Sequence, residues 1–118
     1  MFIKALKAKI HRATVTEAKV DYPGSIAVDA DLLDAARISP YEAVLLANVT
    51  NGQRAETYVV QAPAGSGDVS VLGAAARMFN PNDIIIIINF AYYTPDEKNK
   101  LKPIVVVCDE KNKIKEIL

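Results

Sequence analysis

Residues 21–28 read DYPGSIAV, and Gly24-Ser25 is the first place where side-chain type and spacing could do chemistry. Pro, Gly and Ser together are ordinary turn residues. The same peptide bond also puts a hydroxyl within five-membered-ring reach of a carbonyl that no side chain shields, so a chain could cut itself there. Glycine leaves that carbonyl open and allows backbone geometries other residues resist, and the serine has its target by proximity. A second group is cationic. Lys9 and His11 lie two residues apart, as do Arg54, Glu56 and Tyr58, and on a strand such residues share a face. Arginine grips a carboxylate with two prongs and lysine meets it as a point charge. If both strands line one cleft, the cleft suits a small dicarboxylate. Taken singly, each residue also has a structural use: a surface ion pair for Arg54, packing for Tyr58, a structural hydrogen bond for His11.

Other chemistries are poorly supplied. One histidine and one cysteine, far apart in sequence, are too few for a His/Cys metal site, and no metal is expected. No G-x-S-x-G elbow is present. The glycine-rich GSGDVSVLG (65–73) lacks the lysine and the strand-loop-helix setting of a phosphate loop.

The 118 residues fit one domain and about half are apolar, enough for a core, although so small a chain gains from oligomerisation. Fourteen basic residues balance fourteen acidic ones, leaving no net field for nucleic acid or anionic lipid. The basic run KNKLK (98–102) reads as a solvated loop. Lysines interrupt MFIKALKAKI where a secretory leader needs an apolar stretch. IIIIINFAYY (84–93) is about half the ~20 residues of a membrane-spanning helix. Five consecutive β-branched isoleucines suit a strand buried on both faces. Cys108 has no partner for a disulfide. A cytoplasmic location without membrane contact is expected.

The elements that must position these residues are mostly strands. Residues 3–20 form one long or two short strands, and Ile26–Val28 another. Asp29 is placed to cap a short helix through Leu32, Leu33, Ala35 and Ala36. A strand over Ala43–Val49 meets its return, Gln53–Ala62, through Asn51-Gly52, the signal for a tight turn with φ > 0 at both positions. VSVL, a short helical turn at GAAARM, the Ile-rich strand, PIVVVC and IKEIL complete the chain. Six to eight strands and two short helices predict a mainly β barrel or compact sandwich.

Several segments then combine: KIHRATVT (9–16), YPGS (22–25), LLDAA (32–36), NVTNGQRAETY (48–58), GAAAR (73–77), NPNDIIIII (80–88) and the KP-IVVV-DE-N ending. In this order and spacing, over essentially the whole chain, they resemble the aspartate 1-decarboxylase family, the pyruvoyl enzymes of bacterial pantothenate synthesis. The resemblance implies a double-psi β-barrel and a homotetramer with active sites between subunits.

It also implies self-processing. Ser25 Oγ attacks the Gly24 carbonyl, an N→O acyl shift gives an ester, and β-elimination leaves dehydroalanine, which hydrolyses to a pyruvoyl group and ammonia. The products are a β chain, residues 1–24, and an α chain, residues 25–118, blocked by its new cofactor. The keto group accepts the amine of L-aspartate and withdraws electrons as the α-carboxylate leaves. The residue matching Tyr58 is the proton donor; a phenol keeps its proton at neutral pH. Lys9 and Arg54 hold the substrate carboxylates. Thr57 acts in self-cleavage and then on substrate, Gly73, Ala74 and Ala75 offer backbone amides, and His11 orients. On a flat strand Thr57 faces away from Arg54 and Tyr58, so joint use needs a twist, a bulge or a subunit seam. Leu72 departs from the family pattern, which has asparagine there. An unprocessed dicarboxylate-binding barrel is the alternative that this change suggests, and a pyruvoyl enzyme for another amino acid is a third. A helper protein for maturation is compatible with the resemblance.

Overall fold

The computed structural model describes Met1–Leu118. Its strands are β1 (Ile3–Thr14), β2 (Glu17–Lys19), β3 (Ser25–Asp29), β4 (Ala43–Asn48), β5 (Arg54–Ala62), β6 (Val69–Leu72), β7 (Ile84–Tyr93), β8 (Ile104–Cys108) and β9 (Ile114–Ile117). Helix α1 (Ala30–Ala36) follows β3, a 3-10 helix (Ala74–Met78) follows β6, and α2 (Pro95–Asn99) follows β7. The nine strands hydrogen-bond in the order β2-β6-β3-β5-β4-β7-β1-β8-β9. Three pairs are parallel, β2 with β6, β3 with β5 and β1 with β8; the remaining pairs are antiparallel. This mainly β, mixed architecture fits the double-psi β-barrel expected. The count exceeds six to eight: residues 3–20 take the two-strand form, dividing at Val15-Thr16, and every other expected strand is present.

The inner face is aliphatic. Ile10, Ile26, Val59, Val71, Ile85 and Ile87 are fully buried in one cluster that also takes Leu32 and Leu33 of α1. The isoleucine run is not covered on both sides. Ile85 and Ile87 point inward and are wholly buried, whereas Ile84, Ile86 and Ile88 are half-buried on the outer face. Strand β7 lies between two antiparallel neighbours and takes the one-sided alternation of such sheets.

The Asn-Gly turn is longer than expected. Only Gly52 has a positive φ, 77°. The link is a four-residue loop closed by Asn48 N–H donating to Gln53 O (2.8 Å) and Gly52 N–H to Asn48 O (2.8 Å). Asn51 stays out of the left-handed region because its side chain supplies the turn, accepting from Gln53 N–H (2.8 Å) and donating to Met78 O (3.1 Å). Helix α2 takes in the first two residues of the basic run, and Lys100–Lys102 lie in the expected loop. Thr94 and Glu97 form a reciprocal capping box and Pro95 opens the first turn.

Polar side chains tie down loops that the ladder does not reach. Asn112, 2 % exposed, accepts from Thr14 N–H (2.7 Å) and donates to Thr14 O and Gly67 O (both 2.8 Å), clipping the β8–β9 turn to β1 and to the loop before β6. Asp29 caps α1 as its type and position predict. Its carboxylate accepts from Asp31 N–H (2.8 Å), Gly65 N–H (3.0 Å) and Gly67 N–H (2.8 Å). Burial by itself raises its pKa, but the N–H groups of Gly67, Asp31 and Gly65, with the charge of Lys113, outweigh it and hold the group below the usual carboxylate range.

Because the folded pKa is lowered, Asp29 contributes its full stabilisation above the ordinary value of about 3.9 and loses it as pH falls through the folded value. Asp29→Asn leaves at least one of the three donors without an acceptor, which costs about 1–3 kcal/mol. Urea unfolding at pH 7 and at pH 3 checks this: the gap between the two proteins is expected to narrow in acid, and a constant gap refutes the assignment.

Candidate active site

Strand β3 begins at Ser25 and runs between β6 and β5. Ser25 is opposite Leu72, and Ile26 is opposite both Val71 and Val59. Ile26, Val71 and Val59 are fully buried. Strand alternation therefore turns Ser25, Leu72 and Tyr58 to the other, outer face. The parallel register starts at Ile26 opposite Val59, so Ser25 and Tyr58, each one residue earlier, lead into that pairing on adjacent strands, whose spacing is about 4.8 Å. Ser25 is nonetheless only 4 % exposed and Leu72 8 %, while Gly24 is exposed. The Gly24–Ser25 bond thus sits at the rim, with its hydroxyl side tucked in.

Gly73 explains how the loop before β3 comes so close. It has φ 87°, and a Cβ placed there would lie 2.6 Å from Gly24 Cα, 2.9 Å from Gly24 N and 3.0 Å from Tyr22 O. No side chain fits that gap. Its N–H donates to Lys19 O (2.7 Å) and its carbonyl accepts from Ala76 N–H (3.0 Å). Of the three amides expected to face an anion, the Gly73 N–H is therefore already committed, leaving Ala74 and Ala75 at the start of the 3-10 helix.

Strand β5 is regular, with no bulge in its pairing to β4 or β3. Arg54, Glu56 and Tyr58 are exposed on one face, as their spacing predicts. Thr57, paired with the buried Val44, lies on the other. Arg54 has no carboxylate within ion-pairing distance, and neither has Lys9; the chain's two ion pairs are Lys7–Glu42 and Lys19–Glu17.

Lys9 and His11 share the outer face of β1, separated by the fully buried Ile10. They are not beside Arg54 and Tyr58 in the same chain. Strands β4 and β7 intervene, and the row across the sheet reads Lys9, Ile88, Leu45, Glu56. Three strand spacings amount to about 14 Å. The bulges lie in β1 instead, one of them between Ile10 and Ala13, where Arg12 takes φ 62°. Burial, then the charges of Lys9 and Arg12, lowers the His11 pKa below that of a free imidazole, which favours the neutral ring. The surface cavities, of about 230 to 360 Å³, are lined by none of Ser25, Arg54, Tyr58, Lys9 or His11. Within one chain the expected residues therefore form two groups: Gly24, Ser25, Gly73, Tyr58 and Arg54 around β3 and β5, and Lys9 with His11 on β1.

Two further features bear on the site. Tyr41, which the sequence does not single out, puts its ring 6.3 Å from that of Tyr58 at an interplanar angle of 40°. Cys108 is out of contention as a nucleophile: burial, then the charge of Asp109, pushes its thiol up to about 11.

Comparison with known sequences decides the family. The profile described as aspartate decarboxylase matches residues 1–115. The chain belongs to the aspartate decarboxylase family. It is 50% identical over 115 residues to the aspartate 1-decarboxylase of Caulobacter vibrioides, covering 98% of each chain. It is 51% identical over 114 residues to that of Acetivibrio thermocellus, covering 97% of this chain and 90% of the relative. With the Pelotomaculum thermopropionicum protein it shares 49% identity over 117 residues, covering 99% and 89%. Relatives so named are carboxy-lyases.

The cradle at Gly73 generates a comparison between glycines. Gly52 also has positive φ, 77°, but nothing lies within 4 Å of a Cβ added there. Gly52→Ala is expected to cost about 1 kcal/mol through the backbone alone. Gly73→Ala adds a clash with main chain and is expected to cost about 1–3 kcal/mol more. Thermal melts of the two variants measure the difference; equal losses remove the close contact from the account.

Proposed function

We propose that this chain is a self-processing, pyruvoyl-dependent decarboxylase that converts L-aspartate to β-alanine and carbon dioxide, supplying a precursor of pantothenate and coenzyme A in the cytoplasm. The observation that carries this reading is the register that sets Ser25 beside Tyr58, with Gly24 pressed against Gly73, in a chain of this family.

The residues fit a pyruvoyl group formed at Ser25. Gly73 admits the main chain of Gly24 where any Cβ would collide, and the Ser25 side chain is enclosed at the head of β3. Cleavage leaves residues 1–24 as one chain and 25–118 as another. Strand β2 of the first stays paired with β6 of the second, in which β3 lies between β6 and β5. Ser25 Oγ attacks the Gly24 carbonyl carbon, the C–N bond breaks, and the acyl group passes from nitrogen to oxygen before elimination and hydrolysis release ammonia. Thr57 lies on the other face of β5 from Tyr58, so its part in that attack as a hydrogen-bond donor requires a neighbouring copy across a subunit seam. The resulting keto group supplies an electron sink for loss of a carboxylate from an amino acid.

This chain's own residues do the rest. Arg54 and Lys9, both free of ion-pair partners, hold the two carboxylates of aspartate. Ala74 and Ala75 offer amide donors, with Gly73 shaping the approach. His11, kept neutral, orients by hydrogen bonding. As the α-carboxylate leaves as carbon dioxide, the Tyr58 phenol delivers a proton to the former α carbon and recovers one from water. Lys9 and His11 of one copy meet Arg54 and Tyr58 of a neighbour in a homotetramer with active sites at the seams; the two strands between these groups within one chain support that assembly. A maturation helper is compatible with this scheme. An unprocessed binding barrel is not favoured, since the relatives named above are decarboxylases.

Intact mass of the purified protein tests the proposal, with two fragments expected at the Gly24–Ser25 boundary. Ser25→Ala is expected to remain one species and to form no β-alanine from aspartate. Tyr58→Phe is expected to cleave yet to lose about 10²-fold or more in kcat. A parent protein that stays whole after long incubation overturns self-processing, and a Phe variant with normal turnover removes Tyr58 from its role.

A further inference from the structure

Tyr41 occupies a backbone position that ordinarily takes glycine or asparagine. Ser39-Pro40-Tyr41-Glu42 closes a turn in which Glu42 N–H donates to Ser39 O (3.2 Å), with proline second and φ 73° at the third residue. That is the pattern of a type II turn, whose third position demands positive φ. A bulky aromatic there is an outlier that costs conformational free energy. The ring does not recover that cost in the core, because Tyr41 is 77 % exposed.

The strain is held in place from several sides. Tyr41 N–H donates to Val59 O (2.8 Å) and Val59 N–H donates to Glu42 O (3.1 Å), fastening the turn to β5 one residue beyond Tyr58. The Glu42 carboxylate accepts from Ser39 N–H and from Lys7 Nζ (2.8 and 3.1 Å), so β1 grips the same turn. Burial opposes ionisation of Glu42, but Lys7 and the Ser39 N–H outweigh it and keep the carboxylate charged. This scaffold directs the Tyr41 ring to one aromatic neighbour, Tyr58, at 6.3 Å and 40°. Tilted aromatic pairs at this range attract through their quadrupoles.

We infer that Tyr41 is a positioning residue for the Tyr58 phenol: the strained turn presents its ring so that Tyr58 is confined to one orientation beside Ser25. The inference rests on the proton-donor role of Tyr58 proposed above. Proton delivery to carbon depends steeply on the placement of the donor, and misplacement by about 1 Å can cost 10²-fold. The hydroxyl of Tyr41 has no part in this; the ring is what counts.

The test uses the cleaved protein with 13Cζ-labelled tyrosine, its five tyrosine signals assigned by substitution. Y41G relieves the backbone and removes the ring. It is expected to cleave fully and to melt no lower than the parent, with kcat down about ten- to a hundredfold, KM within about twofold, and the Tyr58 signal shifted. Y41F is expected to restore kcat to within about twofold and to return the Tyr58 signal. Y41N, which tolerates left-handed backbone, replaces Y41G should the glycine variant unfold. With an active parent, unchanged kcat in the ring-less variant overturns the inference, as does Y41F failing as badly as Y41G. With a parent that makes no β-alanine the proposed function falls, and the Tyr58 signal alone decides: a shift on loss of the ring upholds the packing role, and an unmoved signal removes it.

Discussion

The register of β3 between its two neighbours is the constraint on which the site depends. Ile26 and Val28 alternate with Ser25 and Ala27, and the two aliphatic residues are wholly buried among Val59, Val69 and Val71. A slip of one residue exchanges the faces. Exposing two such side chains costs about 3–6 kcal/mol at the usual 1.5–3 kcal/mol each, which is a large part of the 5–15 kcal/mol that holds a domain together. The hydroxyl is therefore aimed by its apolar neighbours. Through the same pairing Tyr58 arrives beside it and Leu72 opposite it, so packing in the core fixes geometry on the outside.

Polar residues do for the loops what the aliphatic ones do for the strands. Asp29, Asn112 and Asp83 are nearly inaccessible, and each gathers backbone donors that the ladder leaves over. Asp83 accepts from Asn48 Nδ2 (2.8 Å) and Asn80 N–H (2.9 Å), tying the start of β7 to the end of β4. Glu42 acts similarly nearer the surface. These contacts join segments far apart in sequence, so the loop before β6, the β8–β9 turn and the turn at Tyr41 are fixed by long-range anchors rather than by local preference. At Asp29 and Glu42 the partners hold the carboxylate charged against burial, which makes their share of the loop framework a feature of neutral pH.

Much of this was legible beforehand, and the exceptions have physical causes. Alternation located the strands, and Asp29 marked the start of α1 because a capping side chain is a local device. The shared faces of Lys9 with His11, and of Arg54 with Tyr58, followed from strand period alone. Thr-Pro-Asp-Glu at 94–97 also carries a capping box and a proline at the helix start, a local signal set beside a basic run that is mostly loop. The Asn-Gly signal gave the hairpin and not its length, since Asn51 builds the loop with its side chain instead of its backbone. The isoleucine run hid its one-sidedness because both faces carry the same residue. Two intervening strands between Lys9 and Arg54 could not be foreseen from period, which orders residues along a strand and says nothing of which strands are neighbours. The Tyr41–Tyr58 contact joins a turn to a strand 17 residues later, which no local pattern encodes.

Cys108 carries a different consequence. The only thiol in the chain sits at the end of β8, 6 % exposed, and remains protonated well beyond neutral pH. Oxidants and alkylating reagents act on thiolates, so they have little purchase on the folded molecule, and covalent cross-linking between copies in air is disfavoured. The same seclusion makes the sulfur a built-in gauge of opening: whatever rate of labelling is seen measures how often the β8–β9 edge comes away from the barrel.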